Sequence, residues 1–216
     1  MNIEHKDTSN THVRANGRSP LLLRRTNLED MSLFFKKKER VPARRDKHNN
    51  TTSIIEQYDP ESAGVIEIQR LFKTLYGKER SKGLKSFMVT SSMAHEGKST
   101  LVGYLSLAAA HAKQRTLIID ADMRRPVQHI QFQIPKSPGF SDYLQKEAEI
   151  DQIIYGTDLE NLMLIPSGHK AVSPSGLLQT SASEIQALLE QCCANFDVVL
   201  LDTPPVIPVN DAEIIG

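Results

Sequence analysis

The ten residues Ser91-Ser92-Met93-Ala94-His95-Glu96-Gly97-Lys98-Ser99-Thr100 constrain this chain most, because of what flanks them. Before them, Ser86-Phe87-Met88-Val89-Thr90 is a short apolar, β-favouring run that reads as a buried strand. After them, Leu101, Tyr104, Leu105, Ala108 and Ala112 recur at helical spacing from a start at Lys98. Strand, loop and helix in this order point the helix's free N–H groups and positive dipole end at the loop, which suits an anion. Gly97-Lys98-Ser99 is the second half of the phosphate-binding pattern G-x-x-x-x-G-K-[ST]. Lys98 is in register to reach a nucleotide's terminal phosphates and Ser99 to offer a hydroxyl to Mg²⁺. The pattern's first glycine falls at Ser92. The expected nucleotide contacts are Ser92, His95, Glu96, Gly97, Lys98, Ser99 and Thr100.

Acids follow at the ends of later strands. Thr116-Leu117-Ile118-Ile119 is a second buried run and leads into Asp120-Ala121-Asp122-Met123-Arg124-Arg125-Pro126. A strand–helix–strand unit closes as a right-handed parallel crossover, which brings Asp120 and Asp122 beside the loop. Such a pair can hold Mg²⁺ or accept a proton from an attacking hydroxyl, although Asp122 could also simply cap a helix. Residues 127–156 read as short helices and loops, including Gly139 to Leu144 and Ile150 to Tyr155. Leu162 to Ile165 reads as a third strand. Ser181 and Glu184 form a capping-box pair opening a helix whose Ile185, Leu188, Leu189 and Cys192 face the core. Asp197 to Asp202 is a fourth strand, ending in an acid suited to hold Mg²⁺ through water. The expected class is α/β, a P-loop NTPase-like, mostly parallel sheet with helices on both faces.

The N-terminal part differs in character. Residues 1–50 hold twelve Lys or Arg against six Asp or Glu, within a chain of zero formal net charge. Residues 1–60 lack a sustained period apart from a short helix across Leu28 to Glu39, and we expect a basic, mostly disordered arm. Its Lys36-Lys37-Lys38 and Arg44-Arg45 suit anionic lipid or an acidic segment, or simply solvent. Residues 61–216 form the expected nucleotide-binding domain, opening with a helix from Ala63 to Tyr76 that carries Val65, Ile68, Phe72 and Leu75 on one face. Gly77 to Lys85 reads as a basic, flexible connection. Cys192 and Cys193 are adjacent, which suits neither a disulfide framework nor a metal site. No apolar run is long enough to span a bilayer and no secretory signal is evident, so a cytosolic location is expected.

Over roughly residues 60–216 the chain resembles the bacterial tyrosine kinases of polysaccharide biosynthesis. Glu67-x-x-Arg70-x-x-Lys73 resembles that family's E-x-x-R-x-x-R oligomerisation helix, Ser91 to Thr100 its phosphate loop, and Asp120 to Pro126 its Asp-x-Asp-x-Arg motif. Val198 to Pro205 resembles its hydrophobic-strand-Asp motif, and Pro174 to Thr180 and Asp211-Ala212 fall where the family has similar segments. The resemblance implies ATP and Mg²⁺ as cofactors and transfer of phosphate from ATP to tyrosine. Lys98 would contact the phosphates, Ser99, Asp122 and Asp202 would hold Mg²⁺, and Asp120 and Asp122 would orient or deprotonate the tyrosine. Glu67, Arg70 and Lys73 would build a homo-oligomer. The implied partner is the cytoplasmic tail of a chain-length-determinant membrane protein, which places the kinase peripherally at the inner face of the plasma membrane. Neither a nucleic-acid partner nor a transmembrane segment is expected.

The chain departs from the family pattern in three places. Ala94-His95 stands for Pro-Gly, where a side chain could crowd the loop, and Lys73 stands for arginine, which keeps charge but loses bidentate geometry. The sequence ends at Gly216, short of the family's later strands and tyrosine-rich tail, so an incomplete kinase domain is expected, and its five tyrosines are scattered. Two other functions fit the same motifs. A partition or septum-site ATPase switch would carry a lysine where this chain has Met93, and a non-catalytic nucleotide-binding regulator of polysaccharide export would bind without transferring.

Overall fold

The computed structural model describes residues 52–80 and 83–216. The short helix expected at Leu28 to Glu39 and both basic clusters lie outside these residues. Among them run α1 (Ala63–Arg80), β1 (Ser86–Val89), α2 (Lys98–His111) and β2 (Thr116–Asp120). Three short helices follow, α3 (Gln128–Gln131), α4 (Phe140–Leu144) and α5 (Ile150–Ile153), then β3 (Tyr155–Gly156) and β4 (Leu162–Ile165). The described chain closes with α6 (Pro174–Thr180), α7 (Ala182–Asn195), β5 (Val198–Asp202) and α8 (Asp211–Ile215).

The strands form one sheet in the order β1-β5-β2-β4-β3, parallel throughout except for the β3–β4 pair. Buried on both faces, β2, β4 and β5 read as unbroken apolar runs. Their alternate residues divide the core into two layers. Leu117, Ile119, Met163, Ile165, Val199 and Leu201 meet Ile185, Leu188 and Cys192 of α7 on one side. Ile118, Leu162, Leu164, Val198 and Leu200 meet Val102, Leu105 and Ala109 of α2 on the other. Each such fully buried aliphatic side chain contributes roughly 1.5–3 kcal/mol through water exclusion. In the register, Asp120 lies directly opposite Asp202, so two acids end adjacent strands at the same level.

Several local expectations are corrected. Tyr155 does not close a helix but begins β3, which is too short to carry a periodic signal. The first helix continues through Gly77 to Arg80, so that stretch is not a loose connection. Leu75 is exposed, and the inward position is taken by Tyr76, stacked on Phe72 and donating to Gln114. On α2 burial extends well beyond the expected stripe, to Val102, Leu107, Ala109 and Ala110, while Ala112 is exposed. The cause is a helix packed between the sheet and α1. Ser181 does occupy the N-cap of α7, but its side chain makes no capping bond, and Glu184 instead pairs with Lys146 and accepts from Ser183.

Residues grouped with the N-terminal arm by composition also pack on the core. Ile54 is buried, its N–H donates to the Gln131 carbonyl at 2.9 Å, and its side chain fills the space left by Gly103 on α2. Tyr58 stacks on Tyr104 and His111 of the same helix.

Candidate functional site

The loop between β1 and α2 lies at the C-terminal end of the sheet and is shaped by its own backbone. Gly97 adopts φ 84°, the left-handed region that glycine enters without cost, and immediately precedes the first turn of α2. His95 also takes a positive φ, 69°, where an ordinary residue stores about 1–3 kcal/mol of strain. Its ring does not fold into the loop: Nε2 lies 3.2 Å from the Arg125 guanidinium and can only accept there, because arginine only donates. The Glu96 carboxylate accepts from the backbone N–H groups of Ser92 (2.9 Å) and Met93 (3.2 Å), which ties the turn together. Ser92, His95, Glu96, Gly97 and Thr100 are exposed, while Lys98 and Ser99 are partly buried.

Lys98 and the acid of the second motif meet directly. Lys98 Nζ lies 3.1 Å from Asp122 Oδ2, and the two side chains are 12% and 3% exposed. Asp122 Oδ1 accepts from the backbone N–H groups of Arg124 and Arg125, so the loop after β2 aims the carboxylate at the lysine. The next turn is held from outside, since Arg124 pairs with the buried Asp211 at 2.8 Å and bonds Ser175 at 2.7 Å, and Ser175 donates to Asp211. This network joins the starts of α6 and α8 to the second motif.

Asp120 and Asp202 are deeper, with no exposed surface. Burial pushes the Asp120 carboxyl well above the usual carboxylate range, and the neighbouring Asp202 and Asp122 charges raise it further. Asp202 is likewise raised by burial, against the opposing pull of hydrogen bonds from Gln128 and Ser99. Gln128, at the start of α3, had no visible signal in the sequence. It is fully buried, its N–H donates to Asp120 Oδ2 at 3.1 Å, and its Nε2 donates to Asp202 Oδ2 at 2.8 Å and to the Ser99 carbonyl at 2.9 Å. Asp120 Oδ1, Asp202 Oδ1 and Gln128 Oε1 are left buried without a hydrogen-bond partner.

These residues fit Mg²⁺. Among the described residues no group of three or more His, Cys, Asp and Glu side chains gathers as a metal cage. Mg²⁺ does not need one, since it takes one or two carboxylates, keeps several waters and relies on substrate phosphates. Ser99, Asp122 and Asp202 offer only oxygen, and orphaned carboxylate oxygens suit a hard cation and its waters. Glu67, Arg70 and Lys73 are not brought to this site. They sit exposed on α1, with Glu67 and Arg70 paired at 2.7 Å. Among the described residues no helix is long and apolar enough to cross a membrane.

Three comparisons bear on this geometry. The AAA domain family matches residues 91–214, from the phosphate loop into α8. The tyrosine-protein kinase YwqD of Bacillus subtilis is 30% identical over 164 residues, 76% of this chain and 68% of that protein. Among solved structures, the kinase domain of Escherichia coli tyrosine kinase ETK superposes with a TM-score of 0.72 at 27% identity, covering 78% of this chain and 65% of that one.

Proposed function

The chain belongs to the bacterial tyrosine-protein kinase family, and on that premise we propose that it uses ATP and Mg²⁺ to phosphorylate protein tyrosine, and in doing so regulates capsular or exopolysaccharide polymerisation and export. The observation that carries this reading is the convergence of Lys98, Asp122, Asp202 and Ser99 at one end of the sheet. Phosphoryl transfer asks mainly for positioning and charge neutralisation, and these residues provide both. Lys98 rests against Asp122. An ATP phosphate competes for the lysine, and the freed Asp122 becomes available to the metal or to the incoming tyrosine hydroxyl. Ser99, Asp122 and Asp202 would hold Mg²⁺, whose chemistry is to neutralise charge building on the phosphoryl oxygens. Backbone N–H groups from His95 to Thr100 would cradle the phosphates, while those of Ser92 and Met93 are held by the Glu96 carboxylate. Asp120, shut behind Gln128, supports the metal side of the site and would need the loop after β2 to shift before it could take a proton from tyrosine.

The wider setting is part of the same proposal. Residues 61–216, with the docked stretch around Ile54 and Tyr58, act as the kinase domain, the residues before that stretch as a basic arm, and Glu67, Arg70 and Lys73 join copies of the chain. The activating partner is the cytoplasmic tail of a chain-length-determinant membrane protein, which holds the kinase at the inner face of the membrane. Met93, where septum-site ATPases carry lysine, argues against a dimerisation switch of that kind.

The test supplies both substrates externally. The chain is incubated with radiolabelled ATP, Mg²⁺ and a Glu-Tyr copolymer, with and without the partner tail. Label on tyrosine supports the kinase reading, and ATP binding without label in either condition would mark a non-catalytic regulator.

A further inference from the structure

We infer that Gln128 is the positioning residue that fixes Asp202 and Ser99 relative to one another for Mg²⁺, an inference that rests on the reading in which those two residues hold the metal. Gln128 is bonded to all three sequence motifs at once, through Asp120, Asp202 and the Ser99 carbonyl. The orientation of its amide is decided by its neighbours. Asp202 Oδ2 and the Ser99 carbonyl are both acceptors, so the NH₂ must face them and the oxygen must face away. Both amide protons are therefore committed.

Two consequences follow for the metal. With Oδ2 of Asp202 held at 2.8 Å, the carboxylate cannot rotate freely, and its other oxygen is presented alone. The amide also pins the peptide of Ser99, so one side chain holds both the Asp202 carboxylate and the backbone that carries the Ser99 hydroxyl. Chemistry explains why glutamine suits the position. A lysine or arginine could donate the same bonds but would bring a positive charge against Asp120 and Asp202 and oppose cation binding. Glutamine donates twice and adds no charge. Its own Oε1, with Asp120 Oδ1 and Asp202 Oδ1, leaves three buried acceptors lacking donors, a cost the fold retains where a cation and its waters can satisfy them.

The test separates metal binding from nucleotide binding. Affinity for a fluorescent ADP analogue is measured with Mg²⁺ titrated in and again in EDTA, for the parent and for Gln128→Met and Gln128→Glu. Loss of a partner that orients a metal ligand typically weakens metal affinity about 10–100-fold. Gln128→Met should raise the Mg²⁺ concentration for half-effect by that factor, while nucleotide affinity in EDTA falls by much less. Gln128→Glu loses both donated bonds but adds a negative charge that attracts the cation, so its Mg²⁺ response should be weakened less than that of Gln128→Met. A parent whose affinity ignores Mg²⁺ would overturn the metal assignment itself. A Mg²⁺-responsive parent with unaltered variants would overturn the role of Gln128 alone. Equal loss with and without Mg²⁺ would also overturn it, by making Gln128 a general support of the fold.

Discussion

Lys98 faces Asp122 inside the site, so its replacement changes charge where phosphate is expected rather than where the core packs. Lys98→Met should cost roughly 3 kcal/mol of transition-state stabilisation, about a hundredfold in kcat/KM for tyrosine phosphorylation, and should lower the thermal midpoint because the buried Asp122 carboxylate loses its cation. Steady-state kinetics beside a melting curve check both halves. Asp120 should behave in the opposite way. Its carboxyl is raised by burial and by neighbouring acids, so the folded state binds the proton more tightly than the unfolded state does. The contribution of Asp120 to stability is therefore greatest in acid and falls as pH rises from the ordinary carboxylate range, about 3.9, toward the raised folded value. Asp120→Asn removes that burden. The variant should melt higher than the parent at pH 7, with the difference shrinking toward pH 4, and should lose phosphoryl transfer. A lower melting point at pH 7 would show that the negative charge is already compensated in the fold.

Among the elements, legibility followed how local the cause was. β2, β4 and β5 were readable because strands buried on both faces must be apolar throughout, and the start of α2 because Gly97-Lys98-Ser99 fixes it. β3 was not, since two residues carry no period, and neither was the passage of α1 through Gly77, where packing of Phe72 and Tyr76 outweighs a weak helix former. The stripe on α2 was incomplete because a helix covered on two sides has no single apolar face. Gln128 could not be found at all: its role exists only once α3 is folded against β2 and β5. The inward face of α7 was foreseen, and it has a chemical readout. Burial pushes the Cys192 thiol up to about 12, and the half-buried Cys193 is also raised by burial. Since the thiolate is the reactive form, Cys192 should react with a disulfide reagent at pH 8 only as fast as α7 opens. Rapid labelling of Cys192 in the native protein, located by mass spectrometry, would contradict this packing.

For the molecule as a whole, the docked stretch around Ile54 and Tyr58 braces α2 from outside the sheet. Ile54→Ala should cost about 2–5 kcal/mol, as for other buried aliphatic truncations, and lower the melting point by about 5–15 °C in a domain of this size. A shift under about 1 °C in calorimetry would mean that the stretch does not stay docked in solution. A different consequence comes from the sheet order β1-β5-β2-β4-β3. The phosphate loop follows β1 and the paired acids follow β2, yet the strand that joins β1 to β2 is β5, the last of the described strands to leave the ribosome. At about 5–20 residues per second, on the order of ten seconds separate the emergence of β1 from that of β5. For that interval the nascent chain has an open slot between β1 and β2, with apolar strand edges on either side and no assembled nucleotide site. Translation speed and chaperone supply, rather than any later ligand, would then govern how many copies of this chain ever reach a state able to bind ATP.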